Sequence, residues 1–143
     1  MATVNPYLNF KGNAEEAFNF YKSVFGGEFF AVQRFKDTPE AEKLSASDGE
    51  KLMHIALPIG HGNILMATDV LESMGRQFIP GNNYYLSLSA DSKVEADKLF
   101  KALSDGGEVS IPISDMFWGA YFGMLTDKFG VQWMVGFDSK IQK

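Results

Sequence analysis

The sequence predicts an α+β fold made of one strand–helix–three-strand unit used twice. Two observations predict it. The first is a repeat. Asn13-Ala14-Glu15-Glu16 and Ser92-Lys93-Val94-Glu95 both have the form of a helix capping box, 79 positions apart. Glu16-Ala17 matches Glu95-Ala96, and Lys22 matches Lys101, at that same offset of 79. Gly26-Gly27-Glu28 then matches Gly106-Gly107-Glu108 at an offset of 80, so one residue has been added near Asp105. The second observation is that the segments outside these helices are short, apolar and bounded by turn residues, which is the signature of strands.

The elements follow in order. Thr3 to Phe10 reads as a strand. In the helix after it, Ala14, Ala17, Phe18, Tyr21, Val24 and Phe25 fall on one face at i, i+3, i+4, i+7 spacing. Asn13 is expected to accept the amide three residues on, with Glu16 reaching back, and Gly26 is a natural positive-φ stop. Glu28 to Lys36 reads as the next strand. Residues 37–50 are polar, contain Pro39 and Gly49, and read as an exposed loop. Leu52 to Ile59 and Asn63 to Thr68 read as strands joined by a hairpin turn at Gly60-His61-Gly62. Residues 71–83, with Gly75, Pro80, Gly81, Asn82 and Asn83, read as a connection. Tyr84 to Ala90 reopens the pattern. The second helix presents Ala96, Leu99, Phe100 and Leu103 and stops at Gly106. Val109 to Ile113, Tyr121 to Thr126 and Val131 to Phe137 complete the unit. The expected organisation is one domain over 1–143, with modules at 1–70 and 84–143 and a linker at 71–83.

Composition narrows the chemistry. The chain has 143 residues, no cysteine, two histidines and a net charge of −5. Residues 37–50 carry five carboxylates and one lysine, a net −4, so the rest of the chain is close to neutral. No basic face is available for phosphates, so nucleic-acid binding is not expected. Without cysteine there is no disulfide, thiolate nucleophile or Cys-ligated zinc. Two histidines exclude a three-histidine metal site within one chain. No apolar run is long enough for a membrane span, and Met1-Ala2-Thr3-Val4-Asn5 lacks signal-peptide character; a cytoplasmic protein is expected.

A doubled unit of this kind resembles the vicinal oxygen chelate superfamily, which includes glyoxalase I, extradiol dioxygenases and the fosfomycin- and bleomycin-resistance proteins. The motifs resemble its PhnB-like branch. Pro6-Tyr7-Leu8-Asn9-Phe10, Glu16-Ala17-Phe18-Asn19-Phe20-Tyr21 and Phe25-Gly26-Gly27 fit the start. Met53-His54-Ile55-Ala56-Leu57 and Ile64-Leu65-Met66-Ala67-Thr68-Asp69 fit the middle. Phe117-Trp118-Gly119 and Asp127-Lys128-Phe129-Gly130-Val131-Gln132-Trp133 fit the end. Members of this branch often carry the description 3-demethylubiquinone-9 3-methyltransferase. The sequence has no glycine-rich strand–turn–helix of the Rossmann kind to support that activity.

The resemblance implies two curved mixed sheets enclosing a cavity, helices outside, and a homodimer. Strand alternation then sorts the residues. His54 and Ala56 face the cavity while Met53, Ile55 and Leu57 face the helix. Tyr85, Ser87 and Ser89 face the cavity opposite Leu86 and Leu88. Gln132, Met134 and Gly136 face it while Trp133 and Val135 pack outside. Tyr7 and Asn9 are the choices on the first strand, with Leu8 and Phe10 in the core. The expected ligand-binding set is Tyr7, Asn9, His54, Met66, Tyr85, Trp118, Gln132 and Met134. Trp118-Gly119 reads equally as a cavity mouth or as a β-bulge packing device.

Enzymes of the superfamily hold a divalent metal between the halves, through His and Glu from the first, fourth, fifth and last strands. Here those positions fall on Asn5 or Pro6, on a strand without a carboxylate just before Asp69, on Tyr85, and on Met134 in place of a glutamate. No metal site and no cofactor are expected. Glu15 and Glu16 suit a helix N-terminus, and Asp69 and Asp127 read as turn residues. His61 reads as a solvated turn residue. His54 reads either as a proton donor or acceptor lining the cavity or as a histidine satisfied by a backbone or tyrosine partner. The leading functional reading is a small-molecule binding or sequestering protein without the standard metal site. The alternatives are a metal-dependent lyase, isomerase or dioxygenase with non-standard ligands, a metal-free enzyme using His54, and a structural or interaction role.

Overall fold

The structure is a computed structural model that describes residues 2–138. The chain forms two compact units, Met1–Ile79 and Pro80–Lys143. The first contains β1 (Tyr7–Phe10), α1 (Ala14–Phe25), β2 (Ala31–Arg34), a short α2 (Ala46–Glu50), β3 (Leu52–Gly60) and β4 (Asn63–Asp69). The second contains β5 (Leu86–Ser89), α3 (Lys93–Ser104), β6 (Glu108–Asp115), β7 (Tyr121–Thr126) and β8 (Gln132–Phe137). The sheet orders are β1-β4-β3-β2 and β5-β8-β7-β6, so the topology repeats strand for strand. In each, one parallel pair, β1–β4 or β5–β8, joins two antiparallel pairs.

Helix α1 covers one face of the first sheet. The register aligns Leu8 with Ala67, Ile55 with Ala67 and Leu57 with Leu65, so these side chains share a face. They meet Ala14, Ala17, Phe18 and Tyr21, all fully buried. Phe10 meets Phe18 edge-on at 6.2 Å, and Phe18 meets Tyr21 at 5.4 Å, in the favoured aromatic geometry. In the second unit Leu86, Trp133, Leu125, Val135 and Gly123 share the face on which α3 packs. A β-carbon at Gly123 would lie 2.7 Å from the Phe100 ring and 2.8 Å from the Ile113 backbone, so close helix–sheet packing there requires glycine.

Several boundaries differ from expectation. β1 begins at Tyr7 rather than Thr3, and β5 at Leu86 rather than Tyr84. β2 is confined to Ala31–Arg34, where the register shifts at Gln33/Arg34 and the chain enters a 3₁₀ turn at Phe35–Asp37. The stretch 37–50 is not a plain loop: a second 3₁₀ turn at Ala41–Lys43 precedes α2, whose start is capped by the Ser45 hydroxyl accepting from the Asp48 amide. β6 runs over Glu108–Asp115, beyond the expected Val109 to Ile113. The helix stops agree: Gly26 and Gly106 have φ of 79° and 77°, and Asp105 is the extra residue after α3.

The two capping boxes part company. Ser92 accepts from the Glu95 amide at 3.0 Å, and Glu95 reaches back to the Asp91 amide. Asn13 makes no capping bond from its side chain. Its task falls to Asp69, which is not a turn residue but the last residue of β4. Its Oδ1 accepts from the Ala14 N–H at 2.9 Å and its Oδ2 from the Leu52 N–H at 2.8 Å, at 1% exposure. One buried carboxylate thus closes the N-terminus of α1 and pins the start of β3, where negative charge is favoured by the helix dipole. Asp127 does act in its turn, accepting from the Phe129 and Val131 amides, and also takes the Trp133 indole N–H at 2.9 Å.

Candidate functional site

The face of the first sheet turned away from α1 brings four predicted residues together. Tyr7 lies opposite Met66 across the β1–β4 pair, and Ala56 opposite Met66 across β3–β4. His54 and Asn9 alternate onto the same face. The Tyr7 hydroxyl lies 3.0 Å from Nδ1 of His54, and the two rings stack at 5.7 Å with 29° between their planes. Tyr7 is 49% exposed, and His54 and Met66 are half-buried. Burial pushes the Tyr7 phenol up, with the Arg76 charge pulling it the other way. The phenol therefore stays protonated at neutral pH and can donate to Nδ1 or accept from it, according to the imidazole tautomer. Among the described residues, Nε2 of His54 makes no hydrogen bond.

The second unit places its predicted residues differently. Ser87 and Met134 share the face turned away from α3, and Met134 is half-buried. Gln132 lies on that face too, but it is buried and its side-chain amide donates to the Tyr84 carbonyl at 2.6 Å. That bond ties the start of β8 to the chain entering β5. Tyr85 lies just outside β5 and is half-buried. Trp118 sits in the β6–β7 turn, 52% exposed, edge-on to Phe117 and Phe122. That turn closes through Met116 N–H to Ala120 O and Gly119 N–H to Met116 O.

The superfamily's usual metal does not fit the donors present. At the first-strand position, the Asn5 side-chain oxygen already accepts from the Ile64 amide at 3.0 Å. Asp69, the carboxylate of the fourth strand, spends both oxygens on backbone amides. Tyr85 and Met134 supply a phenol and a thioether, poor ligands for the hard or borderline divalent ions that carboxylate and imidazole sites hold. Among the described residues no three of His, Asp and Glu gather to hold an ion.

Two features escaped the sequence. A polar cleft of about 330 Å³ lies beside Asp69, lined by Glu15, Arg34, Glu50 and Lys51. Its groups bind one another: Arg34 forks onto both Glu15 oxygens at 3.1 and 2.6 Å and donates to the Glu50 carbonyl, while Lys51 donates to the Gly12 carbonyl. These bonds from Arg34 hold the Glu15 carboxyl below its ordinary range, against the effect of burial. The other feature is Arg76, in the connection after β4, whose charge acts on the Tyr7 phenol. Its only local signal was a basic residue after the left-handed Gly75.

The sequence profile of the Glyoxalase/Bleomycin resistance protein/Dioxygenase superfamily matches residues 3–135. The chain belongs to this superfamily. Protein PA1353 from Pseudomonas aeruginosa is 40% identical, with a TM-score of 0.84 over 96% of this chain and 98% of that one. A Bacillus cereus PhnB protein, named as a 3-demethylubiquinone-9 3-methyltransferase, is 26% identical, with a TM-score of 0.75 over 95% and 99%. Protein YjdN of Escherichia coli is 29% identical across 92% of each chain. The superfamily's fold, two four-stranded mixed sheets with helices, is the fold of this chain, and a PhnB protein is among its structural neighbours. The methyltransferase name belongs to the Bacillus protein. Among the described residues here, no sheet is doubly wound and no glycine-rich phosphate turn opens a helix.

Proposed function

We propose that this superfamily member binds or sequesters a small molecule on the helix-free face of its first unit, without the superfamily's usual metal. The Tyr7–His54 hydrogen bond carries the reading. It holds the imidazole ring beside the apolar Met66, on a half-buried surface, with a polar edge left for a ligand. An apolar wall with a few fixed polar groups is the usual make-up of a ligand site. Asn9 stands on the same face. Tyr85, Trp118 and Met134 belong to the proposed binding set of the second unit, and Gln132 supports that unit's frame.

The test is a thermal-shift screen followed by calorimetry, since a ligand of the native state must raise Tm. Compounds that raise Tm for the wild type and lose about tenfold or more in affinity with His54→Ala, roughly the effect of one good polar contact, support the reading. A library with no stabilising compound, or hits indifferent to His54→Ala, refutes it.

The same hydrogen bond favours a second reading, metal-free acid–base chemistry by His54. A phenol donating to Nδ1 would steady the ring while Nε2 exchanges a proton with substrate. Turnover of a bound compound that vanishes with His54→Gln would separate catalysis from binding alone.

We also propose a cytoplasmic homodimer. β2 and β6 are edge strands, and Val32, Val109 and Ile111 on them are 45%, 43% and 39% exposed. Apolar edges of this kind are normally covered. Sedimentation equilibrium giving a monomer mass at micromolar concentration would refute pairing.

A further inference from the structure

We propose that Gln33 pairs with His54 to make the site of the first unit select uncharged planar amides, the amide group being read by Gln33 and the imidazole while the apolar body lies along Met66. This deepens the binding reading above and rests on it.

The register places Gln33. It is the direct partner of His54 across the β2–β3 pair. Directly opposed residues turn their side chains to the same face, with β-carbons about 5 Å apart. The sheet order β1-β4-β3-β2 then sets His54 between Tyr7 on one side and Gln33 on the other. The neighbouring row on this face runs Tyr7, Met66, Ala56, Ala31. Its two alanines are short, so the row is low beside the longer His54 and Gln33 side chains. Gln33 opposes His54 while Arg34 opposes Leu52, so Met53 is an extra residue on β3. A bulge of this kind re-aims the side chains beside it. Arg34 turns to the α1 side, where it forks onto Glu15. Gln33 turns the other way and is exposed, and among the described residues its side-chain amide has no hydrogen-bond partner.

Charge separates the two faces. Glu15, Arg34, Glu50 and Lys51 all line the cleft beside Asp69. The strand residues that share the His54 face are uncharged at neutral pH apart from the imidazole itself. Arg76, whose charge reaches the Tyr7 phenol, belongs to the connection after β4 and not to these strands. A charged ligand group would give up part of its water on this face without an opposite charge on the strands to replace it. A neutral amide gives up less, and it is matched. The Gln33 side chain offers a donor and an acceptor side by side, and a ligand amide offers the complement. His54 adds a further polar contact through Nε2, as donor or acceptor according to its tautomer.

The experiment compares benzamide, N,N-dimethylbenzamide and benzoate, which share a ring, by protein-observed NMR titration at neutral pH. Benzamide is expected to bind the wild type about tenfold tighter than the dimethyl amide, which has lost its donors, and tighter than benzoate by a similar factor. Gln33→Leu should bring benzamide down to the affinity of the dimethyl amide, while the dimethyl amide itself changes by less than about twofold. Gln33→Thr, suited to a strand and too short to reach the ligand, should do the same, and neither substitution should move Tm without ligand. Equal binding of the two amides, tighter binding of benzoate, a preference that survives both substitutions, or no binding of any of these probes overturns the amide assignment. The parent reading stands or falls separately, on whether compounds of other chemistry in the screen raise Tm in a His54-dependent way.

Discussion

Replacing Asp69 by alanine removes both acceptors of a buried carboxylate at once. The Ala14 and Leu52 amides, bonded at 2.9 and 2.8 Å in the wild type, are left inside the protein without partners. Each unsatisfied buried donor costs roughly 1–3 kcal/mol. The lost charge at the α1 N-terminus adds roughly 0.3–1 kcal/mol. The expected loss is about 4 kcal/mol for Asp69→Ala. Asp69→Asn keeps one acceptor and turns an amide group toward the other N–H, so about half that loss is expected. Urea denaturation followed by far-ultraviolet circular dichroism reads the stability. Hydrogen exchange reads the mechanism, because protection should fall first at Ala14 and Leu52. A loss under about 1 kcal/mol with both amides still protected would refute the assignment of Asp69 as a shared cap and pin.

Other substitutions test the surrounding framework. Ser92→Ala should cost about 1 kcal/mol, whereas Asn13→Ala should change stability by less than about 0.5 kcal/mol, because only the serine caps its helix. Equal losses in urea titrations would show that the two boxes act alike. Glu15→Gln should lower Tm slightly at neutral pH and not in acid. The folded-state pKa of Glu15 lies below its ordinary 4.5 through the Arg34 bonds, so the pairing contributes fully above that pH and is lost as pH falls through the lowered value. With the Glu15 side chain 52% exposed, solvent screening limits the effect to about 0.5 kcal/mol. A Tm difference that widens in acid would contradict this. Gly123→Ala should cost about 1–3 kcal/mol by forcing α3 off the sheet, while Gly81→Ala, with open space around it, should be near neutral. Thermal melts showing the two alike would show that the packing at Phe100 is loose.

What could be read from the sequence was mostly local in origin. The two helices, their apolar stripes and their glycine stops depend on residues within a turn or two of one another. The alternation that put His54 opposite Ile55, or Trp133 opposite Met134, needs only the period of a strand. What escaped depends on contacts between distant segments. Asn13 and Ser92 look alike, but Asp69 sits 55 residues from Ala14 in sequence and displaces the asparagine as cap. The Tyr7–His54 bond spans 47 residues and exists because β4 lies between β1 and β3. Both residues were expected on one face, but their pairing was visible only in the register. Gln132 was expected among the ligand contacts on parity alone; its bond to the Tyr84 carbonyl depends on a chain crossing that no periodicity encodes.

Ligand binding at the Tyr7–His54 pair is tested most directly by a crystal structure of the protein with the tightest compound from the screen. Ligand density is expected against Met66, with a polar atom within hydrogen-bonding distance of His54 Nε2. Density on another surface, with the wild-type affinity retained in His54→Ala, would contradict it.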